Sequence, residues 1–243
     1  MSVVCLTNKE NINMNSNTNN RRNFLKSSAL IGSASLLGGL VDAAENGENG
    51  TDLWQTFSQR RSVRSYASDE VPEADILKIL DAARSAPTSG NQQPWKFLVV
   101  RDKAKIKQLQ EACIQNMVEK FYKPESANQT QAEFENTARE RMSGYFSAPV
   151  YIVILTDNES RYPTYNHWDG PLAAGYLMLA ARALGYGTVH ITDSIPDEVT
   201  KKVFKIPERY SRVCITPLGK PTEWPDSPPK KDLREFIAYE MLS

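Results

Sequence analysis

Residues 170–184 constrain this chain more than any other stretch. Leu172, Ala173, Tyr176, Leu179, Ala180 and Ala183 recur at helical spacing, and few polar residues interrupt them. A helix apolar on most of its faces must be covered by other elements, so it belongs at the centre of a layered fold. Gly185 stands where a left-handed C-cap would end it. A chain of 243 residues can supply the covering layers from one domain and still carry an appendage.

The covering elements can be read on both sides of that helix. Asp52 is placed to cap a short helix holding Leu53, Trp54 and Phe57. Val71-Pro72-Glu73 opens a second helix, whose apolar face is Ile76, Leu77, Ile79, Leu80 and Ala83, before Pro87 and Gly90 break it. Trp95–Val100 reads as a strand and residues 103–121 as an amphipathic helix. Residues 122–131 form a polar loop, and another helix is expected from Gln131 to about Phe146. Residues 150–155 are a buried strand, 188–192 a strand, 197–204 a short helix and 212–218 the last long strand. An extended tail follows from Pro225 to Lys231. Strands separated by long helices make an α/β or α+β layered sheet.

Charge and composition narrow the partners. Lys plus Arg equals Asp plus Glu at 29 each, which disfavours a nucleic-acid surface. The three cysteines, Cys5, Cys113 and Cys214, contain no Cys-x-x-Cys and give no disulfide framework. Cys214 sits in the apolar run Val213-Cys214-Ile215 and reads as a core residue. His167 and His190 are too few for a His-rich site, so no metal is expected.

Residues 1–50 are of a different character from 51–243. The first 20 are rich in Asn, Ser and Thr and cannot bury enough apolar surface to fold. Arg21-Arg22-Asn23-Phe24-Leu25-Lys26 then precedes a weakly apolar stretch at 29–41 and the small residues Ala43 and Ala44. This resembles a twin-arginine export signal. Its apolar part, roughly 13 residues, is shorter than a membrane span needs. Cleavage near Ala43 or Ala44 is expected, with a linker at 45–50 and a mature protein working in the periplasm or otherwise outside the cytoplasmic membrane; a cytoplasmic protein is the alternative.

Two segments carry candidate chemistry. In Arg60-Arg61-Ser62-Val63-Arg64, an extended backbone puts Arg60, Ser62 and Arg64 on one face. Two guanidiniums and a hydroxyl suit an anion such as phosphate, which arginine can hold bidentately. Alone, the segment reads more readily as a solvated charge run. Pro87-Thr88-Ser89-Gly90-Asn91-Gln92-Gln93-Pro94-Trp95 offers hydroxyls, amides and backbone N–H groups in a tight turn after a helix. Amide side chains suit the mixed donor and acceptor edge of a pyrimidine ring. Alone, it is also an ordinary capped turn.

Together, in order and joined by one helix, these segments resemble the FMN-dependent nitroreductase family. The likeness continues through residues 169–187, which end in Leu184-Gly185-Tyr186-Gly187, and through Leu218-Gly219-Lys220-Pro221. It implies an α+β nitroreductase-like fold, a layered α-β-α arrangement around a central, mostly antiparallel sheet, in a domain-swapped homodimer. It also implies FMN bound between subunits. By this resemblance Arg60, Arg61 and Ser62 meet the FMN phosphate and ribityl chain, and Arg64 lies near flavin N1 and O2. A fixed cation there favours reduced flavin. Pro87, Thr88, Ser89 and Asn91 form the turn that touches flavin. His190-Ile191-Thr192 matches a strand end whose backbone N–H faces flavin N5, to within one residue, through Ile191 or Thr192. Lys230 and Lys231 match a basic pair that reaches the phosphate. The implied activity is ping-pong transfer from NAD(P)H or another donor to a nitroaromatic or quinone. No side chain is assigned an acid or base role. The same string resembles deiodinase-type members, so reductive dehalogenation is the alternative, as is a non-catalytic flavin-binding protein.

Overall fold

The structure is a computed structural model that describes residues 52–125 and 128–242. The twin-arginine motif, its cleavage site and the linker lie outside the described residues. Helix α1 (Leu53–Gln59) begins as its sequence predicts, with the Asp52 carboxylate accepting from the Trp54 N–H at 3.1 Å and the Gln55 N–H at 3.2 Å. Helix α2 (Glu73–Arg84) turns Ile76, Ile79 and Ala83 into the core. Leu77, expected on the same face, is exposed.

Strand β1 (Trp95–Val100) leads into α3 (Lys103–Phe121), capped by Asp102. Helix α4 (Gln131–Met142) starts with a capping box between Thr130 and Glu133. It ends short of the expected Phe146, in a tight 3-10 turn at Ser143–Phe146. Ser143 and Gly144 are poor helix formers, and the Ser143 hydroxyl donates to the Glu140 carbonyl at 2.7 Å. Strand β2 (Val150–Asp157) and α5 (Asn166–Ala183) follow. α5 starts before the expected Gly170, and Pro171 falls inside it, where the missing N–H costs the helix one bond.

Strand β3 (Gly187–Thr188), α6 (Asp197–Phe204) and β4 (Tyr210–Gly219) complete the fold. The strand expected over 188–192 is cut to two residues plus a single bridge between Ile191 and Ile215. The Thr188 carbonyl accepts from the Val63 N–H at 3.0 Å instead, so this stretch is shared between β4 and the arginine segment.

The sheet runs β1-β2-β4-β3 with every ladder antiparallel. β2 is buried on both faces, which explains its unbroken apolar run. Val150, Ile152 and Ile154 pack with α2 and α5; Tyr151, Val153 and Leu155 pack with α3, α4 and α6. Burying one such aliphatic side chain contributes about 1.5–3 kcal/mol. The molecule is thus an α+β fold with an antiparallel sheet between two helical layers. α5 is covered on one face only: Ala173, Ala174, Leu177 and Ala181 are buried, whereas Trp168, Leu172 and Tyr176 are exposed by 57%, 44% and 42%.

Candidate functional site

Val63, 1% exposed, anchors the arginine segment to the core. Its side chain lies against Gly187, where any Cβ would stand 2.7 Å from the Val63 Cβ. Only glycine lets the segment approach β3 this closely. Ser62 pairs with Thr188 in a parallel bridge. With Val63 turned inward, the alternation of an extended chain directs Ser62 and Arg64 the other way. Arg64 Nε donates to the Tyr145 hydroxyl at 3.3 Å, and its Nη1 donates to the Ser62 carbonyl at 3.3 Å. Burial pushes the Tyr145 phenol up, but hydrogen bonds with Arg64 and Ser194 and the Arg64 charge outweigh it and hold the phenol below its ordinary value.

Arg61 Nη1 donates to the Ser58 carbonyl at 2.6 Å and to the Arg60 carbonyl at 3.0 Å, while its Nε is buried with no partner. Among the described residues Arg84, Arg101, Arg139, Arg209, Arg212 and Arg234 each pair with a carboxylate. Among those same described residues, Arg60, Arg61 and Arg64 pair with none. Clustered cations without a protein counter-charge, one with an orphaned buried donor, fit an anionic group. The donor set therefore fits the phosphate of FMN.

The turn after α2 is held in an unusual backbone. Gly90, Asn91 and Gln93 have φ of 57°, 54° and 47°. Left-handed geometry at two residues other than glycine is strained and persists only where surroundings enforce it. The enforcing group is Asp169, 3% exposed on α5. It accepts from the Ser89 N–H at 3.1 Å and from Gln92 Nε2 at 2.7 Å. Gln92 also exchanges hydrogen bonds with the Tyr162 backbone, and the Thr88 hydroxyl accepts from the Gln93 N–H at 3.2 Å. Pro87 and Asn91 are exposed at the rim of this turn. Asp169, Gln92 and Tyr145 carry little signal of these roles in the sequence itself. Their partners lie far away in the chain, and the one local signal was an acidic residue in the first turn of the long helix.

Beyond β3, the Ile191 N–H and carbonyl are both engaged by Ile215, each at 3.1 Å. The Thr192 carbonyl accepts from Arg212 at 2.7 Å, and its side chain is exposed. Thr192 borders a cleft of about 600 Å³ lined in part by Met117, Phe121, Ser194 and Arg212. Burial lowers His190 below its usual range, helped by the nearby Arg212 charge. Burial pushes the Cys113 and Cys214 thiols up to about 12, and both are core residues. Lys230 and Lys231 sit exposed on the extended tail, where Lys231 lies 3.8 Å from Glu235. They are not brought onto the arginine segment of their own chain by any hydrogen bond or ion pair among the described residues.

Residues 57–220 match the Nitroreductase family. A protein of Archaeoglobus fulgidus, provisionally named NADH dehydrogenase/NAD(P)H nitroreductase, is 33% identical over 69% of this chain and 84% of its own. An iodotyrosine deiodinase of Thermotoga neapolitana is 29% identical over 76% of this chain and 95% of its own. The crystal structure of an oxidised iodotyrosine deiodinase, bound to FMN and 3-iodo-L-tyrosine, superposes with a TM-score of 0.64 at 24% identity. It covers 79% of this chain and 100% of the deiodinase.

Proposed function

The chain belongs to the nitroreductase family, and on that footing we propose that it is an FMN-dependent oxidoreductase reducing a small, electron-poor acceptor such as a nitroaromatic or quinone. The observation that carries this reading is the group of arginines without carboxylates, set beside a strained turn of amides and hydroxyls. FMN, when bound, supplies acceptance of a hydride from NAD(P)H or another donor and its delivery to the acceptor. The chain's residues bind, orient and bias. Arg60, Arg61 and Ser62 hold the phosphate and ribityl end. Arg64, steadied by Tyr145, places a cation where negative charge develops at the pyrimidine. Thr88, Ser89 and Asn91 orient the ring from the turn that Asp169 braces, with Pro87 at its start. The Thr192 N–H is the backbone donor toward flavin N5, because the Ile191 N–H is already used within the sheet. Met117 and Phe121 give the neighbouring cleft an apolar wall for a planar acceptor. Lys230 and Lys231, on an exposed tail, reach the phosphate of a site shared by two chains in a homodimer.

Purified protein mixed with NADH or NADPH and a panel of nitroaromatics, quinones and halotyrosines tests the assignment. Turnover of the first two classes is expected. Preferential turnover of halotyrosines would favour reductive dehalogenation instead, a reading supported by the likeness to the Thermotoga neapolitana deiodinase over nearly its whole length. The twin-arginine motif at Arg21-Arg22 supports export of the folded, cofactor-loaded protein. Fractionation of cells expressing the full chain should recover a shortened protein outside the cytoplasmic membrane; an unprocessed protein in the cytosol would refute export.

A further inference from the structure

Helix α5 brings one more arginine to the site. Arg182, in its last turn, donates through Nη2 to Gln59 Oε1 at 2.6 Å. The face of its guanidinium lies 4.0 Å from the Trp224 ring. These contacts tie together α1, α5 and the start of the C-terminal tail. They leave the charge unanswered: among the described residues Arg182 makes no ion pair with a carboxylate, and its Nε is buried without a partner. Arg61, which also has an orphaned buried Nε, is tied to the same end of α1: its Nη1 donates to the Ser58 carbonyl, one residue before the Gln59 that holds Arg182. Two cations held together, each partly desolvated and each with an unused donor, are unfavourable unless an anion lies between or beside them. A planar fork from each side suits a phosphate monoester, which can take bidentate bonds from both.

We infer that Arg182 pairs with Arg61 to form an anion site that takes the phosphate monoester of the flavin cofactor. The identity of that anion rests on the FMN reading above; the existence of the site rests on the geometry alone. Gln59 and Trp224 act as positioning residues, holding the Arg182 fork at the end of α5. The sequence gives little warning of this role, because Arg182 lies far along the chain from Arg61 and ends a helix in which basic residues are ordinary.

Dissociation constants of the full-length apo-protein for FMN and for riboflavin, which lacks the phosphate, test the inference together with melting in increasing inorganic phosphate. Arg182→Gln should weaken FMN binding by about 10- to 100-fold and leave riboflavin binding unchanged, the range expected for loss of a charged hydrogen bond. Arg182→Lys should recover only part of the loss, because it keeps charge but not the fork. Phosphate should raise the melting temperature of the wild-type apo-protein and fail to do so in Arg182→Gln.

Equal losses for FMN and riboflavin, or no loss for either, would overturn the inference and leave Arg182 as a structural tie. Should the wild-type chain bind no flavin, phosphate stabilisation that depends on Arg182 would uphold the anion site while the FMN reading failed. Absence of that stabilisation as well would remove both.

Discussion

At the scale of single residues, Asp169 does more than its place in the sequence suggests. It is a buried carboxylate whose two bonds hold the turn at Ser89 and Gln92. Asp169→Ala should lower stability by about 2–3 kcal/mol, since it removes two buried hydrogen bonds and leaves the Ser89 N–H short of an acceptor. FMN affinity should fall with it, as Asn91 and Gln93 relax from their left-handed backbone. Thermal melting and flavin titration would measure both, and an unchanged melting temperature would show that the turn holds itself. The arginine segment and the turn could be read from sequence because each is a short run of suitable side chains. Asp169, Tyr145 and Arg182 could not, because their meaning depends on partners that only the fold brings near. Gly187 is an intermediate case: it was seen as part of the helix-ending motif, but its close approach to Val63 was not.

At the scale of elements, β2 and its flanking helices carry the stability. Ile152 is fully buried between β1, β4 and the α2–α5 layer. Ile152→Ala should cost about 2–5 kcal/mol in chemical denaturation. The helices of the other layer are joined at the surface by Glu111 with Arg139, between α3 and α4, and by Glu198 with Lys120, between α3 and α6. Hydrogen bonds from those cations hold the Glu111 and Glu198 carboxyls below their usual range, and Arg209 does the same for Asp157. A carboxyl depressed in the fold contributes stability above its unfolded pKa and loses it as pH falls through the folded one. Stability should therefore hold at neutral pH and decline below about pH 4, by a modest amount because the pairs are exposed. A melting temperature that stayed level on acidification would contradict this. Helices α3 and α6 match their expected spans closely because apolar spacing is a local signal. β3 was read too long, because its pairing with Val63 across the chain overrides its local strand character.

At the scale of the molecule, the apolar face of α5 is unfinished. Trp168, Leu172 and Tyr176 are exposed, and so are Leu53, Trp54 and Phe57 on α1, which packs against α5. The apolar spacing implies a helix covered on most faces, and the exposed outer face of α5 suits the homodimer proposed above. Leu172→Arg should shift the protein from dimer to monomer in sedimentation and weaken FMN binding, since a site shared between chains would be left incomplete. A variant that stayed dimeric would place the interface elsewhere. The proposed activity requires a flavin that is both held and used. The most direct test is anaerobic: the purified full-length protein is treated with NADH or dithionite and then with a nitroaromatic or quinone, while visible absorbance is followed. The expected result is a bound FMN whose absorbance bleaches with reductant and returns with acceptor. A protein that retains no flavin, or one whose reduced flavin no acceptor reoxidises, would contradict it.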